Sequence, residues 1–199
     1  VPRLYTLCLH VVPPSLSPLV VPVPLLGAIG QPPPDTLPPW LSSTQPPLGI
    51  FDPENARRIN VESVEALLNA APATTRLVTL SIDLVFSGDE DGNYCEEDAT
   101  NPVTVYGETM VAAEDVVAAG RPDACILRIS LPMGVSFNGH AGAIDWIQSR
   151  FAKSSPATLY FDEVRTPSYT DCLNRLFETV LAHNFAGLYH AGGPRRLSL

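Results

Sequence analysis

The run Leu77-Val78-Thr79-Leu80-Ser81-Ile82-Asp83-Leu84-Val85-Phe86 leads into Ser87-Gly88 and, farther on, Pro102-Val103-Thr104-Val105-Tyr106-Gly107. Its near-continuous apolar character predicts a strand covered on both faces, as the strands of a parallel sheet are. Gly88 to Asn93 reads as a loop, and Val105 to Ala119 as a helix closed by Gly120 at its C-cap. Upstream, Asp52 is a good N-cap, Pro53 suits the first helical position and Glu54 complements the helix dipole. Ala56, Ile59, Val64, Leu67 and Leu68 then recur at helical spacing, and this helix should end before Pro72. Downstream, Ala124 to Leu131 predicts another buried strand and Ala143 to Ala152 a helix. Thr158 to Phe161 predicts a short strand, Asp171 to Ala182 a helix, and Gly187 to His190 a last strand. Strands alternating with helices predict an α/β fold whose sheet is joined by right-handed crossovers.

Composition changes abruptly near residue 50. Thirteen of the 21 prolines fall in residues 1–50, where Arg3 and Asp35 are the sole charged side chains. Proline removes backbone donors and interrupts helices and central strands alike. Residues 1–48 are therefore expected to be an irregular, proline-rich arm, and residues 49–199 a folded domain. The apolar stretch Leu16 to Ile29 is broken by Pro18, Pro22 and Pro24, too short and too interrupted for a membrane span. A net charge of −9 argues against a nucleic-acid partner, which needs clustered Lys and Arg. Cys8, Cys95, Cys125 and Cys172 show no metal spacing, and neither do His10, His140, His183 and His190. The cysteines read as small buried hydrophobes with reduced thiols in a cytoplasmic setting.

Ligands of parallel sheets bind beyond the carboxyl ends of the strands, where Ser81, Ile82 and Asp83 stand. Tyr106 opens the next helix. Ser81-Ile82-Asp83-Leu84-Val85-Phe86-Ser87-Gly88 resembles the Ser-Thr-Asp-Tyr-Val-Phe-x-Gly stretch of the dTDP-4-dehydrorhamnose reductase family, a branch of the extended short-chain dehydrogenases. Ala56 to Val61 is similar to the helix before that strand. Tyr94-Cys95-Glu96-Glu97-Asp98, Pro102 and Tyr106-Gly107 are similar to the family's Tyr-x-Glu-x-Asp, Pro and Tyr-Gly. Ala113-Glu114, Leu127-Arg128, Asp162, Pro167-Ser168-Tyr169 and Gly187-Leu188-Tyr189-His190 continue the match in order. The resemblance covers about 140 residues.

What the resemblance implies is a Rossmann-like parallel sheet with helices on both faces, its first βαβ unit absent or replaced by the proline-rich arm. It also implies reduction of a 4-keto sugar nucleotide with NADP or NAD as cofactor. Tyr106, Ser81 and Asp83 would then be catalytic, Asn60 and Tyr106 would touch the cofactor, and Arg128 and Arg165 the nucleotide-sugar substrate. No membrane partner is implied, and a homo-oligomer is compatible with the reading.

Three departures stand beside it. The family's Lys, four residues after the Tyr, is Met110 here. A free tyrosine ionises near pH ~10, and bringing that to ~7 takes about 4 kcal/mol of preference for the phenolate. A thioether carries no charge to supply it. The family's catalytic hydroxyl position holds Ile82, and the neighbouring Ser81 points to the other face of a regular strand. The sole candidate for a glycine-rich phosphate loop, Gly27-Ala28-Ile29-Gly30, runs into Pro32, Pro33 and Pro34. Plainer readings remain for each residue. Tyr106 is then a packing aromatic, Asp83 a turn cap, Arg128 the partner of a buried carboxylate and Arg165 a solvated loop residue. Two functions follow from these readings: a reductase with an impaired catalytic set, and a non-catalytic relative that binds a ligand or a partner protein.

Overall fold

The structure is a computed structural model and describes residues 19–21, 53–89, 92–134, 143–157, 159 and 161–198. Cys8, His10, Asp52, His140 and the Gly27–Gly30 stretch lie outside them, so the expectations placed there stay with the sequence. The described residues fall into two units, one up to Arg128 together with residues 185–190, the other residues 129–184 and 191–198.

In the first unit, strand β1 (Leu19–Val21) runs parallel to β2 (Leu77–Ile82), with Leu19 opposite Leu77. The proline-rich segment thus contributes a strand to the sheet. The strand order is β1, β2, then β3 (Cys125–Ile129), then β7 (Gly187–Ala191). Helix α1 joins β1 to β2 and starts at Pro53, as its sequence predicts. It consists of Pro53–Arg57, a π-turn over Arg58–Glu62 and Ser63–Ala70. The Ser63 N–H bonds to the Arg58 carbonyl, five residues back. Ala71 is extended, so the helix stops ahead of Pro72.

Two sequence expectations need correction here. The strand does not run to Phe86; it ends at Ile82, and Asp83–Val85 form a 3₁₀ turn in which the Phe86 N–H meets the Asp83 carbonyl at 3.1 Å. Nor does Gly120 cap helix α2 (Val105–Gly120). The chain leaves the helix at Arg121, and Gly120 matters because a Cβ there would come within 2.9 Å of Leu68 Cδ1. The contact is with the end of a flexible side chain, and Gly120 does not have the left-handed backbone that a C-cap glycine would adopt.

The core lies between α1, α2 and the sheet. Val64 and Leu67 of α1, Leu77 of β2, and Val85 and Phe86 beyond it meet Met110, Ala113 and Val117 of α2 and Ile126 of β3. Burying a side chain such as Val117 contributes roughly 1.5–3 kcal/mol.

The second unit holds α3 (Ala143–Ala152) and α4 (Thr170–Ala182) with two small sheets. β4 (Pro132–Met133) pairs in parallel with β6 (Ser168–Tyr169), and β5 (Val164–Arg165) antiparallel with β8 (Leu197–Ser198). The expected strand at 158–161 is not found: Leu159 and Phe161 belong to no strand, and the other two residues lie outside the described set. The segment before β6 is tightly enclosed. Thr166 N–H donates to Ser130 Oγ at 3.3 Å, Gly193 N–H donates to the Thr166 carbonyl at 2.7 Å, and a Cβ on Gly193 would overlap the Pro167 carbonyl. The cysteines also differ from expectation. Cys125 is buried, and its burial pushes the thiol pKa up, but Cys95 and Cys172 are exposed.

Candidate functional site

Tyr106 is the second residue of α2, in a first turn that would ordinarily fray. Three features hold this turn. Thr104 is the N-cap, with its Oγ1 accepting from Gly107 N–H at 3.0 Å and its carbonyl accepting from Glu108 N–H at 2.9 Å. Gly107 lies against the 3₁₀ turn so closely that a Cβ would overlap the Leu84 carbonyl oxygen. Thr109 Oγ1 donates to the Tyr106 carbonyl at 2.9 Å and accepts from Asn60 Nδ2 at 2.9 Å. Asn60 and Thr109 are both buried. The π-turn of α1 is thus tied by hydrogen bonds to the turn that carries Tyr106.

One turn along α2, Met110 is 2% exposed and belongs to the apolar core. Tyr106 and Ile82 pack against the same cluster. β2 stays extended through Ile82 (φ −143°, ψ 155°), so alternation sends Ser81 to the opposite face from Ile82. Ser81 is buried, and its hydroxyl has no hydrogen-bond partner among the described residues. Asp83 opens the 3₁₀ turn and is half-buried.

Arg128 has a different setting. Its Nε and Nη2 donate to the two carboxylate oxygens of Glu114 at 2.9 and 2.7 Å, both side chains being buried. Its Nη1 lies 3.4 Å from His190 Nε2, and its guanidinium sits 5.1 Å from the centre of the Phe86 ring. Phe86 also stacks on Tyr94 at 4.2 Å. Glu96 closes the group by accepting from the His190 backbone N–H at 2.7 Å. That bond holds the Glu96 carboxyl below the ordinary glutamate range. The Tyr94–Asp98 segment, an acidic turn by sequence, is therefore strapped onto β7 through Glu96. The guanidinium expected at substrate is engaged by Glu114 and His190. Arg165, in the second unit, has Nη1 3.8 Å from Glu163 Oε1.

The structure therefore brings Asn60 and Tyr106 into one network, puts Ser81 and Ile82 on opposite faces, and gives Arg128 a carboxylate partner. The sequence reading missed Thr109, although a threonine three residues after Tyr106 can bond back to its carbonyl. It also missed Glu114 as the partner of Arg128 and Glu96 as a clamp. Tertiary pairing of that kind leaves no mark in local pattern.

The family model for the RmlD substrate binding domain matches residues 51–199. The chain belongs to this family. It is 34% identical over 151 residues to dTDP-4-dehydrorhamnose reductase from Salmonella typhimurium, covering 71% of this chain and 49% of that protein. It is 24% identical over 151 residues to methionine adenosyltransferase 2 subunit beta from Danio rerio, covering 73% of this chain and 46% of that one. Among solved structures, a dTDP-4-dehydrorhamnose reductase from Clostridium acetobutylicum superposes with a TM-score of 0.67 at 25% identity, over 75% of this chain and 52% of that one. The chain thus spans about half the length of these relatives. The likeness extends to the sheet and its helices, and the α/β, Rossmann-like expectation holds.

By the family resemblance, one contact to a nicotinamide cofactor is lost at Met110. The family's lysine would present an ammonium there, whereas Met110 is enclosed in the core and offers no donor.

Proposed function

We propose that this chain is a sugar-nucleotide reductase domain of the dTDP-4-dehydrorhamnose type whose catalytic set is impaired. Membership of the family supports the class. The single observation that supports the impairment is the burial of Met110 in the apolar core, with Ile82 packed against the same cluster. In this reading Tyr106 is the acid that protonates the substrate oxygen and Asp83 orients the end of β2. Asn60 and Tyr106 would serve the cofactor and Arg165 the diphosphate of a nucleotide sugar, whereas Ser81, buried on the face opposite Ile82, takes no part. NADPH or NADH would supply the reducing equivalent. The missing ammonium costs least in the reducing direction, because a neutral tyrosine is already the acid form.

The same burial favours a second reading, a non-catalytic relative that binds a ligand or a partner protein. The likeness to a protein named as a subunit of a methionine adenosyltransferase supports it. Titration with NADPH, followed by nicotinamide fluorescence, separates the two. Saturable binding in the micromolar range, about −8 kcal/mol, supports the reductase reading; a folded chain that binds none overturns it. Met110→Lys combined with Ile82→Thr should then raise turnover of a 4-keto sugar nucleotide. A folded, NADPH-binding double variant with no gain would show that these two positions are not what limits activity.

A further inference from the structure

Within the reading of Tyr106 as the acid, on which this inference rests, we propose that Thr109 is its positioning residue and that the π-turn of α1 exists to hold Thr109 through Asn60. In a helix, a threonine side chain divides between two rotamers because its hydroxyl can bond to the carbonyl three or four residues back. Here the choice is made from outside the helix. Asn60 Nδ2 donates to Thr109 Oγ1 at 2.9 Å, which occupies an oxygen lone pair and leaves the hydroxyl proton for Tyr106 O, also at 2.9 Å. Asn60 is 5% and Thr109 7% exposed, so water does not compete for either group. Bonds in series of this kind polarise one another and strengthen.

The π-turn explains how Asn60 reaches that position. Each helical residue turns about 100° around the axis, so one inserted residue rotates everything beyond it by about that much. Ile59 and Val64, five residues apart, mark the insertion. It lets α1 bury Asn60 and Val61 in one turn and Val64 and Leu67 in the next, with Asn60 meeting α2 at Thr109 and the apolar pair meeting the core. Tyr106, one turn before Met110, is thereby fixed by neutral hydrogen bonds in a chain that lacks the family's ammonium.

The test reads Tyr106 directly and needs no cofactor. The protein is labelled with ring-carbon-13 tyrosine, and the Tyr106 resonance is assigned with Tyr106→Phe. Thr109→Val, which keeps the shape and removes the hydroxyl, should shift or broaden the Tyr106 line while the Tyr169 line, in the second unit, stays in place. Thr109→Ser should restore it. An unchanged Tyr106 line in folded Thr109→Val overturns the proposal. So does a shift that serine does not rescue, or one shared by every tyrosine. If Thr109→Val gives no cooperative urea transition, Asn60→Ala carries the test: the hydroxyl remains but loses its orientation, and an unchanged Tyr106 line then overturns the proposal. Failure to bind NADPH overturns the reductase reading alone and leaves this measurement intact.

Discussion

Tyr106 and Glu114 stand about two turns apart on α2, and each is held from outside the helix. The turn of Tyr106 is held by Thr104, by the close approach of Gly107 to Leu84, and by the Asn60–Thr109 pair. Glu114 is held by Arg128 of β3, which is itself backed by Phe86 and His190. Neutral hydrogen bonds dominate the first region and an ion pair the second. Each neutral bond nets about 0.5–1.5 kcal/mol, so the first region loosens by steps. A buried charge that loses its partner costs about 3–5 kcal/mol, so the second is all or nothing. Met110 lies between them and belongs to neither, being part of the core. Along α2, hydrogen bonds at Tyr106 give way to apolar packing at Met110 and then to an ion pair at Glu114.

The largest expected effect comes from breaking the ionic region. Glu114→Ala should lower the urea unfolding free energy by about 3–5 kcal/mol, because Arg128 is left buried and uncompensated. Replacing both partners, Glu114→Leu with Arg128→Met, should recover most of that loss. If the single variant loses less than about 1 kcal/mol, the distinction between the two regions fails. Next comes Gly107→Ala. The new methyl would overlap the Leu84 carbonyl, a backbone atom that can move only with the 3₁₀ turn, so a loss of roughly 1–3 kcal/mol is expected. The Tyr106 resonance should move with it; a stable variant with an unmoved resonance would show that contact to be slack.

Smallest is the strap over β7. Glu96 has a depressed carboxyl pKa in the folded chain, so its contribution to stability is complete above the ordinary glutamate value of 4.5 and is lost as the pH falls through the lower folded value. Glu96→Gln should therefore flatten the acid side of a stability–pH profile by removing a small increment that is present at pH 7 and absent in strong acid, small because solvent screens a group that is only part-buried. A profile that keeps its acid slope in the variant would assign that slope to another carboxylate, with Asp123, lowered by its bond to Arg121, the first to examine.

The elements that the sequence revealed are those whose cues are local. Pro53 and Pro72 bracket α1, and the helix read from Val105 starts there. The end of β2 was hidden because Leu84-Val85-Phe86 continues the apolar run, although Val85 and Phe86 enter the core from a 3₁₀ turn. The π-turn left one trace, the five-residue gap from Ile59 to Val64, which a period of 3.6 smooths over. Arg128 carried a sign that it needs a carboxylate, but which one depends on α2 lying over β3. Cys95 and Cys172 misled because the general tendency of cysteine to be buried says nothing about a particular turn or helix face.

β1 has one more consequence. Its three residues lie between Pro18 and Pro22 in the sequence, and neither proline has an N–H to offer. The rim of a sheet is a template on which another chain can lay a strand, and such rims are commonly blunted by shortness and by proline. With β1 on one rim and β7 on the other, the described sheet is guarded against backbone-driven self-association on the β1 side. Within the described four-stranded sheet, main-chain pairing with another copy is therefore favoured at Gly187–Ala191 over β1.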